Sequence, residues 1–591
     1  MKNWILLRKS ADYKSISEEL NIDPVAVRIM VNRGITDIDE MREFLSEDIT
    51  RCFEYKGLPY IDEAVKLIKE AASENLKCRI VGDYDADGVC ATVILMKGLK
   101  IYGLDCDFTI PDRLIDGYGI NQNIVTKAIE DKVGFIITCD NGISAGNTID
   151  MAIENGIKVV VTDHHTITES ELPAKCNVLV NPKLECNTYP FREICGAQVA
   201  YKVLSALFEG DSRFDAIKDE LLEFAAIATV TDVMPLFGEN RKLVKWLLKR
   251  LKNPINPGLR LLAEKCDITS KATDAVCSDI GFRIGPCINA AGRIDVAGIA
   301  VNLFLCENEE DRNSTADTLV SLNNDRKELT DKCVEMGSEE LIKRFPDGNL
   351  PDVIILYLPE CHVSICGLVA GRIREKFYHP TLVFTDSGDG ITGSGRSIDE
   401  YNLIENIQKC ADILTKFGGH KAACGLSLDK NNLKELEDRL NSSTGLSKDD
   451  LTEKIKIDAN MPFGYVSYDL IRDLSKLEPF GTGNPTPVFA LRDLLLVKIR
   501  PFGNDSSHLF INVRDGSNSL ITLKLFRRAA EFEQMIRDEF DDSVCDLIKS
   551  DNSSAVINQN IRITVSYYPS VNTYKGNTSI DFTVKDFKLT E

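Results

Sequence analysis

The sequence predicts an α/β protein of several domains, in which a parallel sheet comes first and a β-barrel comes last. Three observations support this prediction. Short apolar runs rich in β-branched residues alternate with helical patterns in the first half, a long polar segment divides the chain, and alternating short strands fill the tail. At 591 residues, the chain is also too long to fold around one ordinary core.

The first large domain is predicted over residues 76–306, after an N-terminal helical segment (1–75). Its predicted strands are short and apolar: "CRIVG" (78–82), "CDFTIP" (106–111), "GFIITC" (134–139) and "IKVVVTD" (157–163). Such runs, separated by helices, indicate a parallel sheet with helices on both faces. In sheets of this kind, the side chains that follow the strands face a common crevice.

The second half of the chain contains three further predicted elements. Residues 307–345 are polar, carry little core pattern and predict a connecting helix. A smaller α/β domain is predicted over 346–483, with "DVIILYL" as its first strand. The tail, 484–591, contains alternating strands such as "HLFINVRD" and "IRITVSYY", which indicate a small all-β barrel or sandwich.

The composition limits the possible functions and locations. With 70 Lys and Arg against 91 Asp and Glu, the net charge of -21 argues against a nucleic-acid binder whose whole surface is basic. A local basic cleft and bound divalent cations remain compatible with this charge. The 18 cysteines include no CxxC pair, which argues against a zinc ribbon and favours a reducing cytoplasm. We find no signal peptide or membrane-spanning run, and therefore expect a cytoplasmic protein with no membrane partner.

The segment "VGDYDADG" (81–88) places Asp83, Asp85 and Asp87 at alternate positions after the first predicted strand. Three carboxylates so close together would repel one another unless a cation lay among them. Acidic and histidine residues also follow three later apolar runs. They are Asp140, then Asp163, His164 and His165, then Asp232. We take the run before Asp232 to be a strand as well, which makes four strand ends.

Carboxylates and imidazoles at neighbouring strand ends are suitable ligands for Mn²⁺ or Mg²⁺. Two such ions could activate a water molecule and neutralise charge on a phosphoryl group. The alternative is that each aspartate caps the helix that follows its strand. Capping would suffice for a single aspartate, but four converging strand ends favour a metal site.

The motifs "DYDADG", "DNG", "DHH" and "TVTD" occur in the order typical of the DHH phosphoesterase superfamily, which the chain resembles. The resemblance implies two divalent cations, Mn²⁺ or Mg²⁺. Asp85 and Asp87 would each bind one ion, Asp140 would bridge the two, and His164 and Asp232 would complete the second site.

Further roles at this site follow from the same resemblance. Asp163 would orient the ring of His164 without binding an ion itself, and His165 would face the substrate phosphate. Some superfamily members have a metal-binding histidine where this chain has Val81. Asp83 is therefore a further candidate ligand.

Within the superfamily, the chain resembles the RecJ family of single-strand-specific 5′→3′ DNA exonucleases from about residue 50 to the end. The resemblance implies a DHHA1 domain at 346–483 and an oligonucleotide-binding (OB) domain at 484–591. It rests on six segments: "GPCINAAGRI" (285–294), "GLVAGRIREKFYHPTLVF" (367–384), "GSGRSIDEYNL" (393–403), "FGGHKAACGL" (417–426), "LEPFGTGNPTPVF" (477–489) and "NTYKGNTSIDFTVKDF" (572–587).

The RecJ resemblance also implies substrate contacts. Arg113, Ser394 and Arg396 would hold the terminal 5′ phosphate, Arg396 through a bidentate fork; the alternative is that Arg396 pairs with Asp399. The other candidate substrate-binding residues are Asn289, Arg293, His362, Ser397, Gly418, Gly419 and His420. For "GGH", a tight turn with a core histidine is equally compatible with the sequence.

This chain departs from the RecJ pattern in two places. Cys287 stands where the family usually has arginine. Around His362, "ECHVSICG" replaces a segment that ordinarily contains more glycine and a tryptophan before the histidine. Since the predicted metal ligands are elsewhere, we expect these changes to affect affinity or polarity more than chemistry.

The predicted function is a metal-dependent exonuclease that degrades single-stranded DNA from its 5′ end in recombination and repair. A helicase and a single-strand-binding protein are candidate partners. Two alternatives are a DHH phosphodiesterase acting on short RNA or cyclic dinucleotides, and a scaffold that binds single strands without cutting them. The presence of all five predicted metal ligands argues against the scaffold.

Overall fold

The computed structural model describes ten stretches of the chain. Contacts between residues divide the chain into two units. The large unit is Glu47–Leu451, and the split unit combines Met1–Ser46 with Thr452–Glu591. The described residues are 2–112, 117, 119–176, 178–271, 273–294, 298–388, 390–442, 444–550, 552–574 and 577–590. None of the helices within these stretches is both long and apolar enough to cross a membrane.

The N-terminal part of the split unit contains one strand and three short helices: β1 (Asn3–Leu6), α1 (Tyr13–Leu20), α2 (Pro24–Asn32) and α3 (Ile38–Leu45). The side chains of Asp12, Asp23 and Asp37 cap the three helices by accepting hydrogen bonds from first-turn amides. The boundary after this segment lies at residue 46, whereas we predicted 75. The sequence pattern of a helix shows that one face is apolar, but not which domain's core that face packs against.

The large unit begins with a five-stranded parallel sheet in the order β3–β2–β4–β5–β6. Its strands are β2 (Cys78–Val81), β3 (Cys106–Thr109), β4 (Phe135–Cys139), β5 (Lys158–Thr162) and β6 (Leu179–Val180). Four of the five coincide with the predicted strands. The fifth, β6, is only two residues long and has no distinct sequence pattern.

Helices cover both faces of this sheet, as predicted. Successive strand residues enter opposite cores: Ile80 and Ile137 lie in one, Val81 and Ile136 in the other. The helices are α4 (Ile61–Ser73), α5 (Ala86–Tyr102), α6 (Gln122–Glu130), α7 (Gly146–Glu154), α8 (Gly196–Leu207), α9 (Lys218–Thr231), α10 (Gly238–Leu248), α11 (Pro257–Lys265), α12 (Cys277–Asp279), α13 (Gly285–Ile294) and α14 (Gly298–Leu305).

The connecting helix and a second sheet complete the large unit. Helix α15 (Glu309–Arg344) matches the predicted connector. The second sheet has the order β10–β11–β9–β8–β7, so that β10 is an edge strand. Its elements are β7 (Ile354–Tyr357), α16 (Cys366–Phe377), β8 (Thr381–Ser387), β9 (Gly390–Arg396), α17 (Leu403–Gln408), β10 (Leu414–His420), β11 (Ala423–Leu428) and α18 (Leu433–Ser442).

The C-terminal part of the split unit is a closed barrel, because β14 pairs with both β15 and β17 while β16 pairs with β18. Its elements are β12 (Lys454–Ile457), β13 (Ala459–Asn460), α19 (Tyr468–Ser475), β14 (Phe489–Phe502), β15 (His508–Arg514), β16 (Leu520–Leu525), α20 (Ala529–Glu539), α21 (Asp542–Lys549), α22 (Ser553–Asn558), β17 (Arg562–Tyr574) and β18 (Asn577–Leu589).

Two features of this unit differ from the prediction. The tail is not all-β, since three helices, α20–α22, separate β16 from β17. The C-terminal part of the unit also begins at residue 452 and not at 484, because β12 pairs with β1 and β13 pairs with β14. Strand pairing across hundreds of residues leaves no signal in local sequence.

Candidate metal centre and substrate-binding residues

The carboxylates of the "DYDADG" segment lie where β2 leads into α5. Asp85 is the N-cap of α5, and its Oδ1 accepts hydrogen bonds from the amides of Asp87 and Gly88, both at 3.0 Å. Capping is therefore one role of Asp85. The buried Asp87 accepts from the amides of Gly196 (2.6 Å) and Ala197 (2.7 Å) at the start of α8. Backbone amides have no sequence signature, so this contact could not be predicted.

Asp140 directly follows β4 and is only 1% exposed. Its backbone is left-handed, with φ 63°, which is uncommon outside glycine and is concentrated at functional sites. The neighbouring Asn141 donates to the carbonyls of Val81 (3.0 Å) and Cys139 (2.9 Å). Asn141 thus ties together the ends of two strands. From the sequence, the "DNG" motif predicts a role only for its aspartate.

Asp163 organises the "DHH" segment after β5. Its Oδ1 accepts from the amides of His164 (2.7 Å) and His165 (3.0 Å) and lies 2.7 Å from Nδ1 of His165. Its Oδ2 accepts from the Ile143 amide at 3.0 Å. Asp163 therefore orients the ring of His165, whereas the resemblance implied the ring of His164. Burial lowers the pKa of His165, but the hydrogen bond to Asp163 and the charges of Asp163, Asp232 and Asp85 together raise it to about 9.

His164 lies at the centre of the converging carboxylates. Its Nε2 is 3.1 Å from Oδ1 of Asp140, 3.5 Å from Oδ2 of Asp232 and 3.6 Å from Oδ2 of Asp87. Neither ring nitrogen of this buried histidine forms a hydrogen bond with any residue that the structure describes. We call Asp87, Asp140, His164 and Asp232 the metal centre.

Asp232 reaches the metal centre from a different kind of element than predicted. It caps the C-terminal end of α9, whereas the sequence predicts a fourth strand end there. Residues 221–229 of α9 are all buried, so the helix has no exposed polar face along this segment. Periodicity does not distinguish such a helix from a buried strand.

The electrostatics of the metal centre favour a bound cation. Burial, followed by the charge of Asp85, raises the pKa of Asp87 to about 6. Burial and then Asp87 raise the pKa of Asp232 to about 7 and that of Asp140 well above its usual value. Burial also lowers the pKa of His164, which favours the neutral ring that can bind a metal. These oxygen and imidazole donors fit Mn²⁺ or Mg²⁺.

Among the described residues, two sets of three donors are close enough to bind an ion, and each has all its ligand atoms within 4.8 Å: Asp87–His164–Asp232 and Asp140–His164–His165. Asp83 and Asp85 belong to neither set. Burial, followed by the charge of Asp85, raises the pKa of Asp83 well above its usual value. Asp83 therefore remains a candidate ligand.

The residues predicted to bind the 5′ phosphate lie on β9 or lie outside the described residues. Ser394 and Arg396 belong to β9, and Nη1 of Arg396 donates to the preceding carbonyl at 2.8 Å. Ser397 is buried, and its hydroxyl donates to the Tyr401 carbonyl at 2.8 Å. Arg113 lies outside the described residues.

The "GGH" segment forms the exposed end of β10. Gly418, Gly419 and His420 are all exposed, so His420 is not the core histidine of the alternative interpretation. Gly419 has φ 145°, and a Cβ there would clash with the Ala423 carbonyl. The hairpin to β11 therefore requires Gly419, while Gly418 has open space beside it.

The side chains of three other predicted substrate-binding residues contact other residues of the protein. The side-chain oxygen of Asn289 accepts from the Ala86 amide at 2.7 Å. Nη1 of Arg293 donates to the Ser364 carbonyl at 2.6 Å. His362 is exposed, and its Nδ1 lies 2.7 Å from the Ser364 hydroxyl.

Comparisons with known proteins agree with this architecture. The DHH family N-terminal domain matches residues 77–229, the DHHA1 domain matches 351–444, and the RecJ OB domain matches 457–586. The parallel sheet, its carboxylate–imidazole centre and the DHHA1 domain define the DHH phosphoesterase class. The chain belongs to the RecJ family within that class, which confirms the predicted fold class.

The family assignment rests on close relatives. The single-stranded-DNA-specific exonuclease RecJ of Dickeya dadantii is 33% identical over 79% of this chain and 83% of its own. That of Bacillus subtilis is 33% identical over 88% of this chain but only 65% of its own, so the chain spans less than two thirds of that relative.

Two solved structures also match. RecJ from Thermus thermophilus in complex with Mn²⁺ has a TM-score of 0.80 at 26% identity, covering 100% of this chain and 80% of its own. An exonuclease RecJ bound to manganese has a TM-score of 0.57 at 32% identity, covering 67% of this chain and 97% of its own.

Proposed function

We propose that this protein is a metal-dependent exonuclease that hydrolyses single-stranded DNA from its 5′ end. The observation that carries the proposal is the convergence of three carboxylates within 3.6 Å of Nε2 of His164. This cluster, buried except for the half-buried Asp232, lies at the carboxyl edge of the sheet, in a chain of the RecJ family.

Divalent cations would supply the hydrolytic chemistry. The proposed ligands are Asp85, Asp87, Asp140, His164 and Asp232. Two bound ions, Mn²⁺ or Mg²⁺, would activate a water molecule and neutralise the charge that develops on the phosphoryl group.

The chain's own residues prepare this site before substrate arrives. The α8 amides hold both oxygens of Asp87, which leaves the carboxylate little rotational freedom. Asp163 holds His165 through Nδ1, and the side chain of His165 remains 43% exposed. We infer that His165 faces the substrate phosphate. Such preorganisation lowers the cost of assembling charged groups during the reaction.

The polarity of the reaction requires a pocket for the 5′ phosphate. We propose that Ser394 and Arg396 of β9, together with Arg113, bind this group. Arginine suits the role because its planar guanidinium can donate two parallel hydrogen bonds to one phosphate.

A surface of the barrel supports binding of a longer strand. We call it the aromatic platform: Phe502, His508, Phe510 and Phe526. Phe502 stacks on Phe510 with ring centroids 4.2 Å apart, and its centroid is 5.2 Å from that of His508 and 5.7 Å from that of Phe526. Part-exposed rings of this kind can stack on bases without reading their sequence.

Positive charge accompanies the platform. Arg500 and Lys524 are the cross-strand neighbours of Phe510 on β14 and β16, and the guanidinium of Arg500 lies 5.0 Å from the Phe510 ring. Stacking rings beside cations are typical of surfaces that follow a single strand. A phosphodiesterase limited to dinucleotides would not need this surface.

The proposed setting is the cytoplasm, in DNA recombination and repair. An enzyme that starts at a single-stranded 5′ end depends on unwound DNA. We therefore propose a helicase and a single-strand-binding protein as functional partners.

One experiment tests the proposal directly. The purified full chain with Mn²⁺ is incubated with single-stranded DNA, duplex DNA, RNA and a cyclic dinucleotide, and the single strands are labelled at either end. We expect digestion of single-stranded DNA from the 5′ end, abolished by a chelator and by Asp140→Asn. Preferential release from the 3′ end would overturn the polarity, and preferential cleavage of RNA or the cyclic dinucleotide would overturn the substrate assignment.

A further inference from the structure

Helix α13 contacts the loop that carries Asp85 and Asp87. The side-chain Oδ1 of Asn289, on α13, accepts a 2.7 Å hydrogen bond from the amide of Ala86. One turn further along the same helix, Gly292 lies against the backbone of Tyr84. A Cβ at Gly292 would clash with the Tyr84 carbonyl oxygen and lie 3.0 Å from its Cβ.

The contact with Asn289 completes the N-terminus of α5. The first amides of a helix have no partner within the helix and require an acceptor. Oδ1 of Asp85 accepts from the amides of Asp87 and Gly88, whereas the preceding amide, that of Ala86, donates to Asn289. Asn289 therefore fixes the residue that lies between two proposed metal ligands.

A second side-chain contact, one turn along, also holds helix α13. Nη1 of Arg293 donates to the carbonyl of Ser364 at 2.6 Å, within the DHHA1 part of the large unit. Asn289 and Arg293 are four residues apart, about one helical turn. The helix that carries the acceptor for Ala86 is thus anchored to a second domain.

We propose that Asn289 is a positioning residue for the metal centre and not the substrate contact that the family resemblance implied. By accepting the Ala86 amide, it sets the orientation in which Asp85 and Asp87 present their carboxylates. The assignment rests on the proposed function, because it takes these two aspartates as metal ligands. Loss of a residue that orients metal ligands typically lowers metal affinity or activity by about 10–100-fold.

The test measures Mn²⁺ binding without DNA, using electron paramagnetic resonance to follow free Mn²⁺ in a titration of the full chain. We expect Asn289→Ala to lower Mn²⁺ affinity by about 10–100-fold. With saturating Mn²⁺, kcat on single-stranded DNA should fall while KM changes little. Asn289→Asp, which keeps an acceptor oxygen at the same position, should bind Mn²⁺ at least as tightly as wild type.

The opposite pattern would overturn the assignment. If Asn289→Ala binds Mn²⁺ like wild type but raises KM for single-stranded DNA, Asn289 is a substrate contact. Equal loss of Mn²⁺ affinity in Asn289→Ala and Asn289→Asp would also contradict a role based on the acceptor oxygen.

A second pair of variants applies if Asn289→Ala fails to fold. Gly292→Ala should displace the Tyr84 backbone and lower Mn²⁺ affinity about tenfold. Gly281→Ala is the matched control, because a Cβ there meets only Val230 Cγ1 at an ordinary 3.8 Å. Equal Mn²⁺ affinity in these two variants would contradict the proposal.

The outcomes also separate this proposal from the proposed function. If wild-type protein binds Mn²⁺ but digests no single-stranded DNA, the exonuclease assignment fails, while the affinities of the Asn289 variants still test positioning. If wild-type protein digests DNA and Asn289→Ala keeps its Mn²⁺ affinity, positioning alone fails.

Discussion

The metal centre and the aromatic platform, the two regions proposed to meet the substrate, are built in opposite ways. In the metal centre, Asp87, Asp140 and His164 are almost completely buried, and backbone amides hold both Asp87 oxygens. On the platform, Phe502, His508 and Phe510 are part-exposed and Phe526 is 44% exposed, and the rings mainly contact one another.

The difference lies in how interchangeable the residues are. Carboxylates forced together in a buried site have raised pKa values and need a cation at a defined position, so each one matters individually. Aromatic rings on a surface offer similar faces to any base, so that the loss of one leaves the others in place. We therefore expect abrupt effects in the metal centre and graded effects on the platform.

The largest effect is expected for Asp140→Asn. Asparagine preserves the side-chain shape and tolerates the left-handed backbone, but it removes a charge next to His164. Nuclease activity with Mn²⁺ should fall by more than the roughly 10–100-fold that is typical when a residue hydrogen-bonded to a metal ligand is lost. The readout is the initial rate on 5′-labelled single strands.

Thermal unfolding of the same variant serves as its control. Since Asp140 adds to the repulsion among buried carboxylates, the Tm of the metal-free variant should equal or exceed that of wild type. Addition of Mn²⁺ should raise the Tm less than it does for wild type. Near wild-type turnover at saturating Mn²⁺ would refute the assignment of Asp140 as a shared ligand.

An intermediate effect is expected for Arg396→Ala. Each charge-assisted bond to phosphate is worth about 1.5–3 kcal/mol, so kcat/KM on 5′-phosphorylated strands should fall roughly ten- to a hundredfold. Strands with a 5′ hydroxyl should change much less, because they lack the group that Arg396 would bind. The two substrates are compared in parallel initial-rate assays.

The matched control for Arg396 is Arg372→Ala, which removes an arginine of the same domain that pairs with Asp331 at 2.7 Å. Arg372→Ala should change kcat/KM by the same factor on 5′-phosphorylated and 5′-hydroxyl strands. Equal slowing of both substrates by Arg396→Ala would indicate a structural role, such as an ion pair with Asp399.

A smaller, graded effect is expected for Phe510→Ala on the platform. Loss of one stacking ring should weaken binding of a long single strand by about 1 kcal/mol, or roughly fivefold, with kcat on very short oligonucleotides unchanged. Fluorescence anisotropy with labelled oligonucleotides of increasing length measures this. Phe540→Ala, which removes a 40% exposed ring outside the platform, is the control and should leave affinity unchanged.

The smallest effect is expected for Arg500→Gln. Removing one phosphate contact should reduce the slope of log K against log salt by about 0.7 for a single strand, with a modest loss of affinity. Arg492→Gln, at another exposed position of β14, provides the comparison. If both variants keep the wild-type slope, the strand does not contact the cation beside Phe510.

Sequence by itself determined four of the five strands of the first sheet and which residues follow them. Apolar β-branched runs predict buried parallel strands, and the ends of neighbouring parallel strands meet at one edge. The sequence therefore predicts that Asp87, Asp140 and His164 share one site, and the structure brings them together. The polar connector was equally predictable, because its long helix has few residues that need a core.

Only the tertiary structure decided which groups hold those side chains in place. Asp87 is bound by amides of α8, more than a hundred residues away in the chain, and the Ala86 amide by Asn289 on α13. Asp232 arrives from the end of a helix, and β1 pairs with β12 across most of the sequence. Periodicity records which face of an element is buried, but which partner it meets depends on how whole elements pack. Backbone amides, which every residue except proline possesses, leave no mark in the sequence.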